Sequence, residues 1–487
     1  MIFFEQAVEP VINNNWSFDL TQFDTVWKLL VQIALLLMCL LVGNMLRRLI
    51  PFLRKGNIPS ALIGGLLLFL INLGLEALNV HILDKRIMQI ITYHALAIGF
   101  IAMSLKIAKK SNNKKTFLAS VQNGALTGGT YMLQAIVGLL VSLIFFWLGS
   151  GLFFDAGVLL PLGFGQGPGN ALTWDINFTN MDTNTFNGQG SVGLTIASIG
   201  FIVASIVGVT YINIFKAKKQ IVPKEKVMVR NVSEFVDENE IEDSDSVDKT
   251  TIQIAFVAVG YAISFGIMVF FSYLTKWTNI GLFNSVAWGF NFIWGVISAT
   301  IVKAIVQFLY KKKIIKHKYI NNYQMDRISG FAFDMMIVAG VASIDINVVK
   351  DYTWFIVAVC IVGSVATLFY IRIITKLCFK DYQHEAFLTN FGALTGTASN
   401  GMIFLREIDP NYETPMNNVY IISQFPAMVF VAPLLLLLNF SAKSALNCYI
   451  ALGIFVLLFI GYTTFLVLSA VLKFKKKDKR EETTKTE

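Results

Sequence analysis

The sequence predicts an all-α polytopic membrane protein: two inverted repeats of five transmembrane helices, each with a re-entrant loop, plus one extra C-terminal helix. Three observations predict it. First, 55% of the 487 residues are hydrophobic and only 15% are charged, against about 25% charged in soluble domains. Second, apolar runs long enough to cross a bilayer, about 20 residues each, recur along the chain. Third, the basic residues sit at the ends of those runs, where they orient the chain.

The first five runs fall near 26–46, 59–78, 88–106, 118–148 and 191–215. The second set falls near 251–275, 284–309, 328–348, 353–377 and 417–439, with an extra run at 446–472. The segments divide as follows: 1–25 an outer N-terminal segment, 26–215 the first repeat, 216–250 a linker, 251–440 the second repeat, 441–472 the added helix, and 473–487 a basic tail. The linker carries Glu238, Glu240, Glu242, Asp243, Asp245 and Asp248 without apolar periodicity, which reads as a solvated tether. The first 25 residues carry Glu5, Glu9, Asp19 and Asp24 and show no cleavable signal pattern.

Loop 47–58 holds Arg47, Arg48, Arg54 and Lys55; loop 106–116 holds Lys106, Lys109, Lys110, Lys114 and Lys115. Loop 310–327 holds Lys311, Lys312, Lys313, Lys316, Lys318 and Arg327, and the tail holds Lys473 and Lys475 to Lys477. The Lys/Arg bias puts all of these in the cytoplasm of a cell-membrane protein, with the N-terminus outside. Two further segments, 156–178 and 384–406, are semi-apolar and rich in Gly, Thr, Asn and Pro. If each crossed fully, Lys216, Lys218 and Lys219 would fall outside. If each dips in and returns, every basic loop falls inside, and the two halves acquire opposite topology. Interrupted segments at matching places in inverted halves mark secondary transporters.

The first interrupted segment contains Gly165, Gln166, Gly167, Pro168, Gly169 and Asn170; the second contains Gly392, Thr395, Gly396, Thr397, Ser399, Asn400 and Gly401. Glycine permits unusual backbone angles and close approach. Irregular backbone at membrane depth survives where protein or a water-filled cavity satisfies it. Freed carbonyls suit sodium, and freed helix N-termini suit a carboxylate. The oxygens of Thr395, Thr397, Ser399 and Asn400 suit a hard cation; small-residue packing is the bland alternative.

Polar residues inside spans are functional candidates by default. Asp334 reads either as a cation ligand or coupling acid, or as a hydrated acid near the cytoplasmic helix end. Asp345 reads as interfacial at the far end of the same helix, as do Glu76, Asp155 and Arg372 near other ends. His94 reads as a structural hydrogen-bonding group. Asn123, Thr127 and Gln134 share a face of the fourth span, where they either line a path or bond between helices. The four cysteines, Cys39, Cys360, Cys378 and Cys448, lie in apolar segments and read as buried side chains.

Residues 57–66 (NIPSALIGGL), Gln134, residues 165–169 (GQGPG) and residues 391–397 (FGALTGT) carry a family resemblance. Over most of residues 26–440 the sequence resembles the glutamate–sodium symporter family of bacterial membrane carriers. Residues 405–410 (LREIDP) are similar to a divergent branch of it. The resemblance implies sodium-driven uptake of glutamate, two re-entrant loops meeting at the substrate, a homodimer, and a loop-bearing part that moves against a dimerising scaffold. It favours Gln134 as a substrate residue, beside Gln166, Gly167, Gly169, Asn170, Thr395, Gly396 and Thr397. Sodium, the coupling ion, falls to Thr397, Ser399, Asn400 and Asp334. Family members carry His where this chain has Gln166, and the added helix and acidic linker depart from the family pattern.

The expected partners are a small anionic amino acid, sodium and the lipid bilayer, with no organic cofactor. A carrier of a small carboxylate such as citrate or malate, driven by sodium or protons, is the alternative. The net charge of +9 belongs to membrane topology and not to nucleic acid. No paired carboxylates with a nearby His, metal-ligand cluster or Walker motif occurs in the sequence, so it reads as neither an enzyme nor an ATP-driven pump.

Overall fold

The computed structural model describes residues 25–107, 114–181, 186–221, 248–278, 287–410 and 413–486. The acidic N-terminal segment, Lys109 and Lys110, and the acidic run of the linker from Glu238 to Asp245 lie outside the described residues.

Among the described residues the regular elements are helices. The first half comprises α1 (Thr25–Leu49), α2 (Pro51–Lys55), α3 (Ser60–Glu76), α4 (Lys85–Leu105), α5 (Lys114–Trp147), α6 (Ala156–Gln166), α7 (Pro168–Thr179) and α8 (Ser191–Ala217). The second comprises α9 (Lys249–Thr278), α10 (Asn291–Lys311), α11 (Asn322–Ala342), α12 (Ile346–Asp351), α13 (Thr353–Cys378), α14 (Gln383–Thr395), α15 (Ala398–Ile408), α16 (Met416–Ser441) and α17 (Ala445–Thr486). Among the described residues nine helices are long and apolar enough to cross a membrane: α1, α4, α5, α8, α9, α10, α13, α16 and α17. This is the architecture of a multi-pass membrane protein.

Each of the eleven apolar runs is a helix, but two are weaker spans. α3 has only 17 residues, because Pro59 starts it and the chain turns polar at Glu76. α11 carries Asp326, Arg327, Ser329 and Asp334, which dilute its hydropathy. It ends at Ala342, short of the expected 348. Asp345 lies beyond it and caps α12, accepting from the Asn347 N–H at 2.9 Å. The helix of α17 continues through the basic tail to Thr486.

The helices pack in a repeating pattern. α4 and α11 lie against each other at the centre of one bundle. Around them α1 pairs with α3 as α9 pairs with α10, and α3 packs on α11 as α10 packs on α4. In a second bundle α5 packs against α13, α16 and α17. α8 runs between, touching both interrupted segments.

Polar contacts pin the ends of α4. Asp84 caps it, accepting from the Ile87 N–H at 3.1 Å. Lys85 pairs with Asp345 at 2.9 Å. At the other end Asn322 accepts from the Ile107 N–H at 2.7 Å and donates to its carbonyl at 2.8 Å. Lys303 donates to the Ser104 carbonyl at 2.5 Å, satisfying an orphan acceptor of the last turn.

Candidate functional site

Both interrupted segments break where the glycines are. The first is α6–Gly167–α7, and α6 ends in a π-helical turn, Leu162–Gln166. Such turns widen the helix and free carbonyls. Gly167 has φ +82° and ψ −171°, a region open essentially to glycine alone. The second segment is α14, then Gly396 and Thr397, then α15.

Each segment folds back on itself. The ring of Phe153, just before α6, lies 5.5 Å from that of Phe178 near the end of α7. In the second, a Cβ on Gly392 would lie 3.0 Å from Gly401 Cα, and one on Gly401 would lie 3.2 Å from Ala393 Cβ. α14 and α15 therefore run antiparallel in contact, and α6–α7 likewise returns to its starting end.

The two tips meet. A Cβ on Gly167 would lie 3.3 Å from Thr397 Cγ2, 3.7 Å from Met336 Cε and 3.8 Å from the Gly396 carbonyl oxygen. α8 holds the junction from behind: a Cβ on Gly200 would collide with the Thr395 carbonyl oxygen and come within 3.0 Å of Phe164. Only a residue without a side chain admits that approach.

At this junction several buried polar atoms lack a protein partner. Asn170 is 1% exposed, and neither its Oδ1 nor its Nδ2 is hydrogen-bonded. Thr397 Oγ1, Asn400 Nδ2 and Gln166 Oε1 are likewise unpartnered. Buried polar groups are normally satisfied, so such a set calls for a ligand, ion or water. The tips, 165–170 and 395–401, contain no ionisable side chain. Their charge comes from helix ends: the N-termini of α7 (12 residues) and α15 (11 residues) supply partial positive charge, and the C-termini of α6 and α14 supply free carbonyls. The donor set fits a carboxylate, and the oxygens fit a hard cation.

The other expected site residues fall differently. Thr395 donates its hydroxyl to the Phe391 carbonyl at 2.6 Å, within its own helix. Ser399 is partly exposed at the tip. Gly169 packs on Leu96 of α4. Gln134 is a brace: its Nε2 donates to Thr367 Oγ1 at 3.0 Å and to the Leu394 carbonyl at 2.9 Å, holding the end of α14. Its Oε1 is unpartnered. Asn123 bonds between helices too, donating to Ser423 Oγ at 2.9 Å and accepting from Asn390 at 2.8 Å. Thr127 donates to the Asn123 carbonyl at 3.0 Å. On this face Asn123 and Gln134 bond between helices, and Thr127 bonds within its own.

Asp334 is not among the groups at the tips. It lies on the exposed face of α11 with Phe331, about 200° round the helix from Met336, which touches Gly167. Asp155, near the end of a span, is fully buried in the protein and accepts from Ser441 Oγ at 2.8 Å. Cys448 of α17 also lies within hydrogen-bonding reach of it. Arg372 donates to Tyr211 Oη at 2.6 Å and lies over the Phe215 ring. His94 pairs with Tyr261 Oη at 2.5 Å, and Glu76 accepts from Asn72 at 2.9 Å. All four cysteines are free and buried.

Sequence reasoning missed three contributors. Tyr131 packs its hydroxyl and ring against Gly165, with Gln166 beside it. It lies between Thr127 and Gln134 on their shared face, a signal that was available. Met336 carries no such signal. Asp175 is fully buried and accepts from the N–H groups of Gly190 (3.0 Å) and Gly193 (2.7 Å), tying α7 to the first turn of α8. No family model and no curated protein matches this chain.

Proposed function

We propose that the chain is a secondary active transporter: a sodium-coupled symporter of glutamate or a related anionic amino acid, working by alternating access. The observation that carries the reading is the meeting of Gly167 with Gly396 and Thr397 beside unpartnered Asn170, Thr397 and Asn400. Two helix N-termini and two sets of free carbonyls aimed at one junction suit a carboxylate and a hard cation together. In this reading the two halves are inverted repeats, an idea supported by the matching pairs α1–α3 and α9–α10 and by α3–α11 and α10–α4. The hairpins are re-entrant loops dipping from opposite faces, with the basic loops cytoplasmic and the N-terminus outside. Sodium enters with the cargo, held by oxygens of Thr397, Ser399, Asn400 and Asn170. A homodimer, with the hairpin-bearing part moving against a scaffold, completes the proposal.

The test is purified protein in liposomes with labelled glutamate. Accumulation that needs an inward sodium gradient and is competed by anionic amino acids supports the reading. Uptake that ignores sodium, or is competed only by citrate or malate, sinks it in favour of the other carrier.

A further inference from the structure

The outgoing limbs of the two hairpins are packed unequally. α7 packs on α8, α4 and α11. Its Gly169 seats on Leu96, a Cβ on Gly340 would lie 3.0 Å from Pro168, and the Trp174 ring is 5.2 Å from that of Phe290. Residues 168–172 are all buried. α15 instead packs on α14 and α8, with Phe404 wedged between Gly208 and Gly392. One face of α15 is buried: Asn400, Gly401, Phe404, Leu405 and Ile408. On the other face Ser399, Met402 and Ile403 are partly exposed, Met402 still packing in part against the core, and Arg406 is exposed.

That face is too polar for lipid. Ser399 and Arg406 are two turns apart on one stripe, and the stripe starts at the tip beside the unpartnered groups. A stripe that runs from a hydroxyl at the tip to an arginine at the base belongs against water or protein along its polar edge. At its base, Glu407 pairs with Lys216 at 3.4 Å, on the side of the basic loops.

We propose that the chain rests open toward the basic-loop side, with the Ser399–Met402–Ile403–Arg406 face of α15 lining a water-filled vestibule for the anionic cargo. The outer limb α7 is closed on α4 and α11. The opposite state then requires α15 to seat on the α4–α11 pair as α7 does here. This inference rests on the proposed re-entrant hairpins.

Accessibility labelling of the full-length protein tests it. Ser399→Cys, Met402→Cys and Asn170→Cys are treated with a membrane-impermeant maleimide in right-side-out and inside-out vesicles. The four native cysteines are buried, so the wild type is the silent control. The expected result is labelling of Ser399→Cys and Met402→Cys at least about tenfold faster from the cytoplasmic side, as a dominant inward-open population requires. Asn170→Cys stays slow from both sides. Fast labelling of Asn170→Cys from outside, with Ser399→Cys and Met402→Cys protected, overturns the resting state and leaves the transporter reading intact. Equal rates from both sides overturn it too. Labelling of Ser399→Cys and Met402→Cys from the outside alone overturns both this inference and the hairpin topology beneath it. Met402→Cys serves alone where Ser399→Cys fails to fold.

Discussion

Gly167 and Thr397 come from opposite halves of the chain and touch: a Cβ on Gly167 would sit 3.3 Å from Thr397 Cγ2. The contact explains why both tips are glycine-bearing and why neither can be studied alone. Each tip supplies a helix start and a helix end, and the unpartnered side chains lie on these tip segments.

Gly167→Val is expected to abolish transport while leaving membrane insertion intact. Its φ of +82° with ψ near 180° costs a side-chain-bearing residue about 1–3 kcal/mol, and the new side chain would also push on Thr397. Uptake beside a size-exclusion profile of the purified variant checks this. Normal uptake would remove the tip geometry from the mechanism.

Asn170→Ala separates binding from folding. Asn170 bonds to nothing in the protein through either polar atom, so its loss should leave thermal stability unchanged or slightly raised. Apparent cargo affinity should fall about tenfold, the value of one lost hydrogen bond to a charged group. A large drop in melting temperature with unchanged affinity would make Asn170 structural.

Gln134→Ala should show the opposite pattern. It strips the buried Leu394 carbonyl and Thr367 hydroxyl of a donor, at a cost of about 1–3 kcal/mol. A melting curve in detergent should show the loss directly. If stability holds and affinity collapses, Gln134 touches cargo after all.

Asp334→Asn should retain sodium-driven accumulation, because Asp334 lies on the exposed face of α11, away from Met336 and the tips. Loss of the sodium dependence in this variant would bring Asp334 back as an ion ligand.

The Lys85–Asp345 pair predicts an acid-sensitive end. Burial alone would raise the Asp345 carboxyl, but the hydrogen bond from Lys85 and the Asn347 N–H outweigh it and hold it below its usual value. A depressed native pKa adds stability above the unfolded value of about 3.9 and loses it as pH falls through the native one. Lys85→Met should move that loss to higher pH in melting curves, and an unshifted acid limb would show the pair to be idle.

The helical, multi-pass character was legible because it rests on hydropathy. Every apolar run forms a helix over most of its length, and both glycine-rich segments are interrupted, at Gly167 and at Gly396. The errors came where a single side chain overrides composition. Beyond the end of α11 at Ala342, Asp345 starts a new helix through its own cap. Asp155 is buried against Ser441 and Cys448, far along the chain, a tertiary event that no local window contains. Within the site, the sequence pointed to Gln166, Asn170, Thr397 and Asn400. It did not separate them from Thr395, whose hydroxyl bonds within its own helix, or from Gln134, whose Nε2 bonds inside the protein while its Oε1 is unpartnered. Which polar atom is left unpartnered depends on packing between distant helices, and spacing alone does not encode that.

The most direct test joins the tips covalently. Gly167→Cys with Thr397→Cys, carrying a protease site within residues 222–247, would be oxidised and then cleaved between the halves. The touching tips predict fragments that stay linked until reduced. Fragments that separate without reductant, both thiols still free, would contradict the shared site.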